Sequence, residues 1–197
     1  TSANDCHIAV FYKVAAGTEG SVTVNHSSSD ELLGWYLRIS GTDTTTPISD
    51  FNFYASSATR TDAFISGSGT VTTTDDNSLV IGGWVMDGGD GLPASYDSTW
   101  MLLDEAASGV SGNDVCGGIV FEVQAAAGLH NPGFVQHPSD GDGHALLAIA
   151  PGDKGNTFAA TFGAVSITGG TGGLYASHNL GATGASASIG GGTAGLT

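Results

Sequence analysis

"NDCHIAVFYKVAAG" at residues 4–17 and "NDVCGGIVFEVQAAAG" at residues 113–128 are one strand-like phrase written twice. Setting Val14 on Val123 also matches Val10 with Ile119, Tyr12 with Phe121 and Lys13 with Glu122. Because side chains alternate across an extended chain, this match keeps the same residues on the same face in both copies. The phrase then continues: Ala15-Ala16-Gly17 corresponds to Ala126-Ala127-Gly128, and after a variable hairpin "LLGWYLRISG", ending at Gly41, corresponds to "GHALLAIAPG", ending at Gly152. Residues 4–41 and 113–152 are therefore expected to be two related sheet-forming halves.

The remaining sequence extends that reading. Glycine supplies 32 of 197 residues, Ser and Thr are abundant, and the strong helix formers Lys, Glu, Gln and Arg are scarce. Apolar residues recur with a period of two: Val22 and Val24 in "SVTVNH", and Trp35, Leu37 and Ile39 in "WYLRIS". Further strands are expected at Ile8–Val14, Val71–Thr74, Leu79–Met86, Thr99–Asp104, Ile119–Gln124, Ala145–Ala150 and Phe158–Ile167. The punctuation between strands is turn chemistry, as in "TDTTTP", "DGGDGLP" and "PSDGDG". Many short strands of this kind predict an all-β fold, an antiparallel, jelly-roll-like β-sandwich over residues 1–154.

The two halves are not equally furnished. Ahead of the second block stand "NSLVIGGWVMDGG" and "PASYDSTWMLLDEA", whereas three residues precede Asn4. The first half is expected to complete its sheet from elsewhere: from the tail, from a neighbouring subunit, or from residues outside this chain. The tail, residues 155–197, is rich in Gly, Ala, Ser and Thr and carries one expected strand with Phe158, Phe162, Val165 and Ile167. Those four side chains are the expected docking or assembly contacts, because little else in the tail is large and apolar.

Charge narrows the partners. Four Lys plus Arg stand against nineteen Asp plus Glu, a formal charge of −15. Phosphate backbones and anionic lipid both require clustered basic residues, so neither nucleic acid nor a membrane is expected as a partner. No apolar run approaches the roughly 18 residues that a spanning helix needs. "TSANDCHIAV" has neither the basic nor the long apolar region of a secretory leader.

Chemistry-bearing motifs are sparse. Gly190, Gly192 and Gly195 fit a dinucleotide-type spacing, but no helix follows to present its N-terminus to a phosphate. No phosphate-loop, nucleophile-elbow or paired-histidine zinc motif occurs. The six histidines are scattered, and His130, His137 and His144 read as surface loop residues rather than a metal site. Asp87 and Asp90, with Asp140 and Asp142, are weak calcium candidates in loops whose bland reading is an ordinary Asp-Gly turn. Trp35, Trp84 and Trp100 offer stacking surfaces for a sugar, but sit in strand-like runs that suit a core. Cys6 and Cys116 each precede a copy of the repeated strand; they form one disulfide, worth about 4 kcal/mol in the chain-entropy model, or remain two buried thiols. No catalytic residue and no cofactor is expected.

One resemblance rests on phrases rather than on composition. The runs "FYKVAAGTEGSVTV", "LRISGTDTTTPI" and "TVTTTDDNSLVIGGWVMDG" resemble a repeated β-sandwich domain of virion-associated proteins of tailed bacteriophages, over roughly residues 8–152. The resemblance implies a non-enzymatic structural component at a virion surface, a decoration, tail or fibre protein. Its partners would be other virion proteins or copies of itself in a homo-oligomer. A carbohydrate- or receptor-binding module contacting a host-surface glycan is the alternative, and a secreted extracellular filament subunit the third reading.

Overall fold

Ser78–Asp87, "SLVIGGWVMD", is apolar on both parities, and a strand of that kind is stable only where both faces of its sheet are covered. The computed structural model describes residues 7–17, 22–25, 32–63, 69–87, 95–96, 100–107, 115–130, 135–152, 159–162, 165–168 and 174–175, with 22, 32, 55–63, 87, 135–142 and those beyond 158 described by their backbone. These residues are all-β, mainly in antiparallel sheets, and include no helix. The strands are β1 (Val22–Asn25), β2 (Leu32–Leu33), β3 (Leu37–Ser40), β4 (Ile48–Ala63), β5 (Val71–Thr73), β6 (Ser78–Asp87) and β7 (Ser95–Tyr96). They continue with β8 (Met101–Ala107), β9 (Val115–Gln124), β10 (Gly128–His130), β11 (Val135–Ile149), β12 (Ala159–Phe162), β13 (Val165–Thr168) and β14 (Leu174–Tyr175).

A six-stranded sheet runs in the order β4-β11-β6-β9-β8, with β7 paired to the start of β11. Its register places Leu147 and Phe121 opposite Ile81 on either side, and Leu146 and Val120 opposite Gly82. Opposed residues in a ladder share a face, so the sheet sorts its side chains into two cores. One face carries Val80, Trp84, Met86, Cys116, Val120, Leu146 and Ala148, closed by Val71 of β5 and by Trp100. The other carries Leu79, Ile81, Ile119 and Ile149, against which Trp35, Leu37, Ile39 and Leu103 pack. The alternation of Trp35, Leu37 and Ile39 is thus the alternation of a strand laid over this second face.

Early strands pair with late ones. β12 pairs antiparallel with β3, setting Phe162 opposite Leu37, while β13 pairs parallel with β1, setting Val165 and Ile167 opposite Val22 and Val24. β14 pairs parallel with β2 through Leu174 and Leu33's neighbour Leu32. β1, β2 and β3 thus each draw a ladder partner from residues 159–175.

Turn chemistry holds at "TDTTTP". Asp43 Oδ1 accepts from the backbone N–H of Thr45 at 2.6 Å and of Thr46 at 3.1 Å, which fixes the bend of "TDTTTP". Those two bonds hold the Asp43 carboxyl below its ordinary value, since they favour the charged form. Asn77 takes a left-handed φ of 60° in the turn between β5 and β6, where Asn is among the few side chains at ease.

Three sequence expectations are corrected. Ile8–Val14 forms no strand although its counterpart is the long strand β9. The two copies differ at two glycines of β9. A Cβ at Gly117 would sit 2.6 Å from the Trp84 carbonyl oxygen and 3.3 Å from Trp35 Cη2, and one at Gly118 would sit 2.8 Å from Trp84 Nε1. Two tryptophans thus press on β9 from opposite faces, and the equivalent residues of the first copy, Ile8 and Ala9, have side chains where β9 has none. "PSDGDG" belongs to β11 rather than to a turn: paired against β4, it absorbs its irregular composition in register shifts between Gln136 and Asp140 and between Asp140 and Asp142. His130 and His144 are not loop residues: His130 is on β10, and His144 is on β11 and buried at 1% exposure.

Candidate functional site

The buried polar groups are the first place to look for chemistry, because each must be partnered inside the protein. His144 lies under the Tyr54 ring, stacked at 5.1 Å between centroids. Glu122 of β9 forms an ion pair with His130 of β10. The Tyr96 hydroxyl of β7 donates to Glu105 of β8. Burial and the Glu105 carboxylate together push the Tyr96 phenol far above its ordinary value, so it stays a neutral donor. On the opposite face Trp35 Nε1 donates to Asp104 Oδ2 at 2.8 Å, and Asp104 itself is buried.

A common pattern joins these pairs. Glu122–His130 fastens β10 to the main sheet, Tyr96–Glu105 fastens β7 to β8, and Trp35–Asp104 fastens the segment before β3 to β8. Likewise Asn52 Nδ2 donates to the Thr70 carbonyl at 3.1 Å, and the Thr72 N–H to Asp50 Oδ2 at 2.7 Å, which ties β5 to β4. The polar side chains act as staples between strands, and none of these pairs sets a nucleophile against a base. Among the described residues, no three His, Cys, Asp or Glu side chains are grouped to hold a metal ion.

The sequence-derived candidates fall as follows. Cys116 is fully buried on β9, while Cys6 lies outside the described residues, and with it the proposed bridge. Asp87 ends β6 opposite Val115, Asp140 is opposite Arg60, Asp142 is opposite Ser56 and Met86, and Asp90 is outside the described residues. Phe162, Val165 and Ile167 occupy the register positions on β12 and β13 given above, and Phe158 is outside the described residues. Trp84 and Trp100 are core side chains at 1% and 6% exposure, so they form no surface platform.

What the surface does offer is apolar. Val10, Phe11, Tyr12 and Val14 are exposed at 38, 84, 67 and 44% in a segment that belongs to no sheet. At its root Ile8 packs on the main sheet, with Cδ1 3.5 Å from a Cβ position at Gly83 and Cγ2 3.7 Å from one at Gly143. Phe51 and Phe53 on β4 form a second exposed patch, their rings 5.6 Å apart and tilted by 59°. Met101 and Leu102, at the start of β8, are a third, at 49 and 43% exposure. The chain matches no family model, no curated sequence and no solved structure. Its function therefore has to be argued from this geometry. The exposed strand-like segment was foreshadowed by the repeat, since a strand phrase whose sheet partners are missing is a segment in search of them; the Phe51–Phe53 patch had no sequence signal beyond two aromatics two residues apart.

Proposed function

We propose that the protein is a non-enzymatic structural component that works by β-strand-mediated assembly. The observation that carries the reading is the exposed run from Val10 to Val14, a strand phrase with large apolar side chains left outside the sheet. A soluble monomer has no use for such a run, whereas assembling proteins bury it against a partner. The finer architecture we read as a jelly-roll-like sandwich, with β1 to β3 and β12 to β14 forming a second sheet over the face that carries Ile81. The phage setting comes from the phrase resemblance: a decoration, tail or fibre component at the virion surface, in contact with other virion proteins or with copies of itself.

Among the described residues the side chains of Asp104, Glu122 and Tyr96 join neighbouring strands, which suits a structural role for them. The reading is tested on density-banded particles of the encoding virus. Peptide mass spectrometry is expected to find the chain as a stoichiometric particle component; its recovery only from the soluble fraction of infected cells overturns the virion reading.

A further inference from the structure

We infer that residues 9–14, running out from the seated Ile8, are a donor strand that adds to the outer edge of β8 in a second copy of this chain, an inference that rests on the assembly reading above. The donor matches β9 position for position, Val10 on Ile119, Phe11 on Val120, Tyr12 on Phe121 and Val14 on Val123. β9 is the strand that β8 already accepts, antiparallel, from Met101 opposite Phe121 to Ala107 opposite Cys116. A segment with that side-chain pattern is therefore suited to the other side of the same strand.

The donor cannot displace β9 itself. Ile8 and Ala9 would carry side chains into the places where Trp84 and Trp35 close on Gly117 and Gly118, so exchange into the sheet interior is blocked and addition at an edge is what remains. Both terminal strands of the main sheet, β4 and β8, lack a further ladder partner among the described residues; β8 is the one that already pairs with a strand of the donor's side-chain pattern. Met101 and Leu102 leave apolar surface at that edge for Phe11 and Tyr12 to cover.

Geometry also chooses a second copy over the donor's own sheet. Ile8 is seated over Gly83 and Gly143, on β6 and β11. From β6 to a new strand outside β8 is three strand spacings, about 14 Å, and an extended chain covers about 3.3 Å per residue. Residues 9–13 would be spent on the crossing, leaving nothing to pair. Each copy thus offers one donor and one acceptor at different places, a heterologous contact that grows into a ring or a filament rather than stopping at a symmetric dimer. With each copy at −15, added salt should tighten the contact by screening repulsion.

The test uses the full chain in light scattering behind size exclusion, at low and high salt. The unmodified protein is expected to rise above monomer mass with concentration, more steeply in high salt, and Phe11→Asp/Tyr12→Asp to weaken association at least about tenfold, the equivalent of about 1.4 kcal/mol, with circular dichroism unchanged. A monomer at every concentration, or undiminished association of the double variant, overturns the inference; neither outcome alters the particle test, so the two readings fail separately. The acceptor is tested by mixing a Tyr12→Cys chain with a Leu102→Cys chain, both carrying Cys6→Ser, under mild oxidation. Cross-linked dimers joining residues 12 and 102 support β8 as the acceptor. Cross-linking to a Phe53→Cys chain in preference to the Leu102→Cys chain overturns it.

Discussion

Replacing Gly118 by Ala tests the idea that Trp84 closes on β9. The new methyl group would meet Trp84 Nε1 at 2.8 Å and the Asp104 carbonyl oxygen at 2.9 Å, and the second of these is backbone of the neighbouring strand. Neither can retreat cheaply, since the Trp84 ring is 1% exposed and β8 is bonded to β9 along its length. Overpacking of this kind costs about 1–3 kcal/mol. The matched control is Gly83→Ala on β6, whose Cβ would meet only the flexible end of Ile8 at 3.5 Å. There the change removes the backbone freedom of a strand glycine, a gain of about 0.5–1 kcal/mol, with no clash to offset it. The two variants should therefore differ by roughly 2–3 kcal/mol. Urea denaturation followed by tryptophan fluorescence reads this directly: with a slope of about 1–3 kcal/mol per molar, the midpoints should separate by roughly 1 M, Gly118→Ala the lower. Coincident midpoints would refute the packing argument and, with it, the block on residues 8–14 taking the place of β9.

Trp35→Phe removes the 2.8 Å donor from a buried carboxylate and should cost about 1.5–3 kcal/mol; a double-mutant cycle with Asp104→Asn that shows no coupling would count against the bond. Tyr96 should not contribute to the alkaline titration of the five tyrosines while the protein is folded, so Tyr96→Phe should leave the amplitude of the phenolate absorbance change unaltered. Because its folded value is raised, its contribution to stability is complete below about pH 10 and is lost as the pH climbs beyond, where the unfolded chain ionises and the folded one resists; a reduced amplitude in the variant would refute the burial.

Period and turn chemistry made much of the sheet legible. Leu79–Met86, apolar on both parities, and Ile119–Gln124, apolar at 119, 121 and 123, became the adjacent strands β6 and β9; Trp35, Leu37 and Ile39 alternate and lie on one face. The second half of β4, "ASSATRTDA", was invisible, because Ser, Thr and Ala carry no contrast between faces and its strand character is supplied by β11. "PSDGDG" misled for the complementary reason: its local preference is for turns, and tertiary pairing overrides it. The repeat was legible as a sequence match, but its outcome hung on Gly117 and Gly118, and no periodicity reveals that a tryptophan from each side lies on them. The polar staples were equally hidden, since Glu122 and His130 or Tyr96 and Glu105 become neighbours only once strands are placed.

The pairing of β1, β2 and β3 with β13, β14 and β12 has a consequence for how the protein is made. The early strands leave the ribosome long before the residues that complete them, and such distant pairings close slowly because the intervening chain must first be gathered. Until then a nascent chain shows open strand edges of the kind chaperones bind and proteases exploit. A product terminated before residue 159 lacks the strands that pair with β1, β2 and β3, so its open edges mark it as unfinished and expose it to removal.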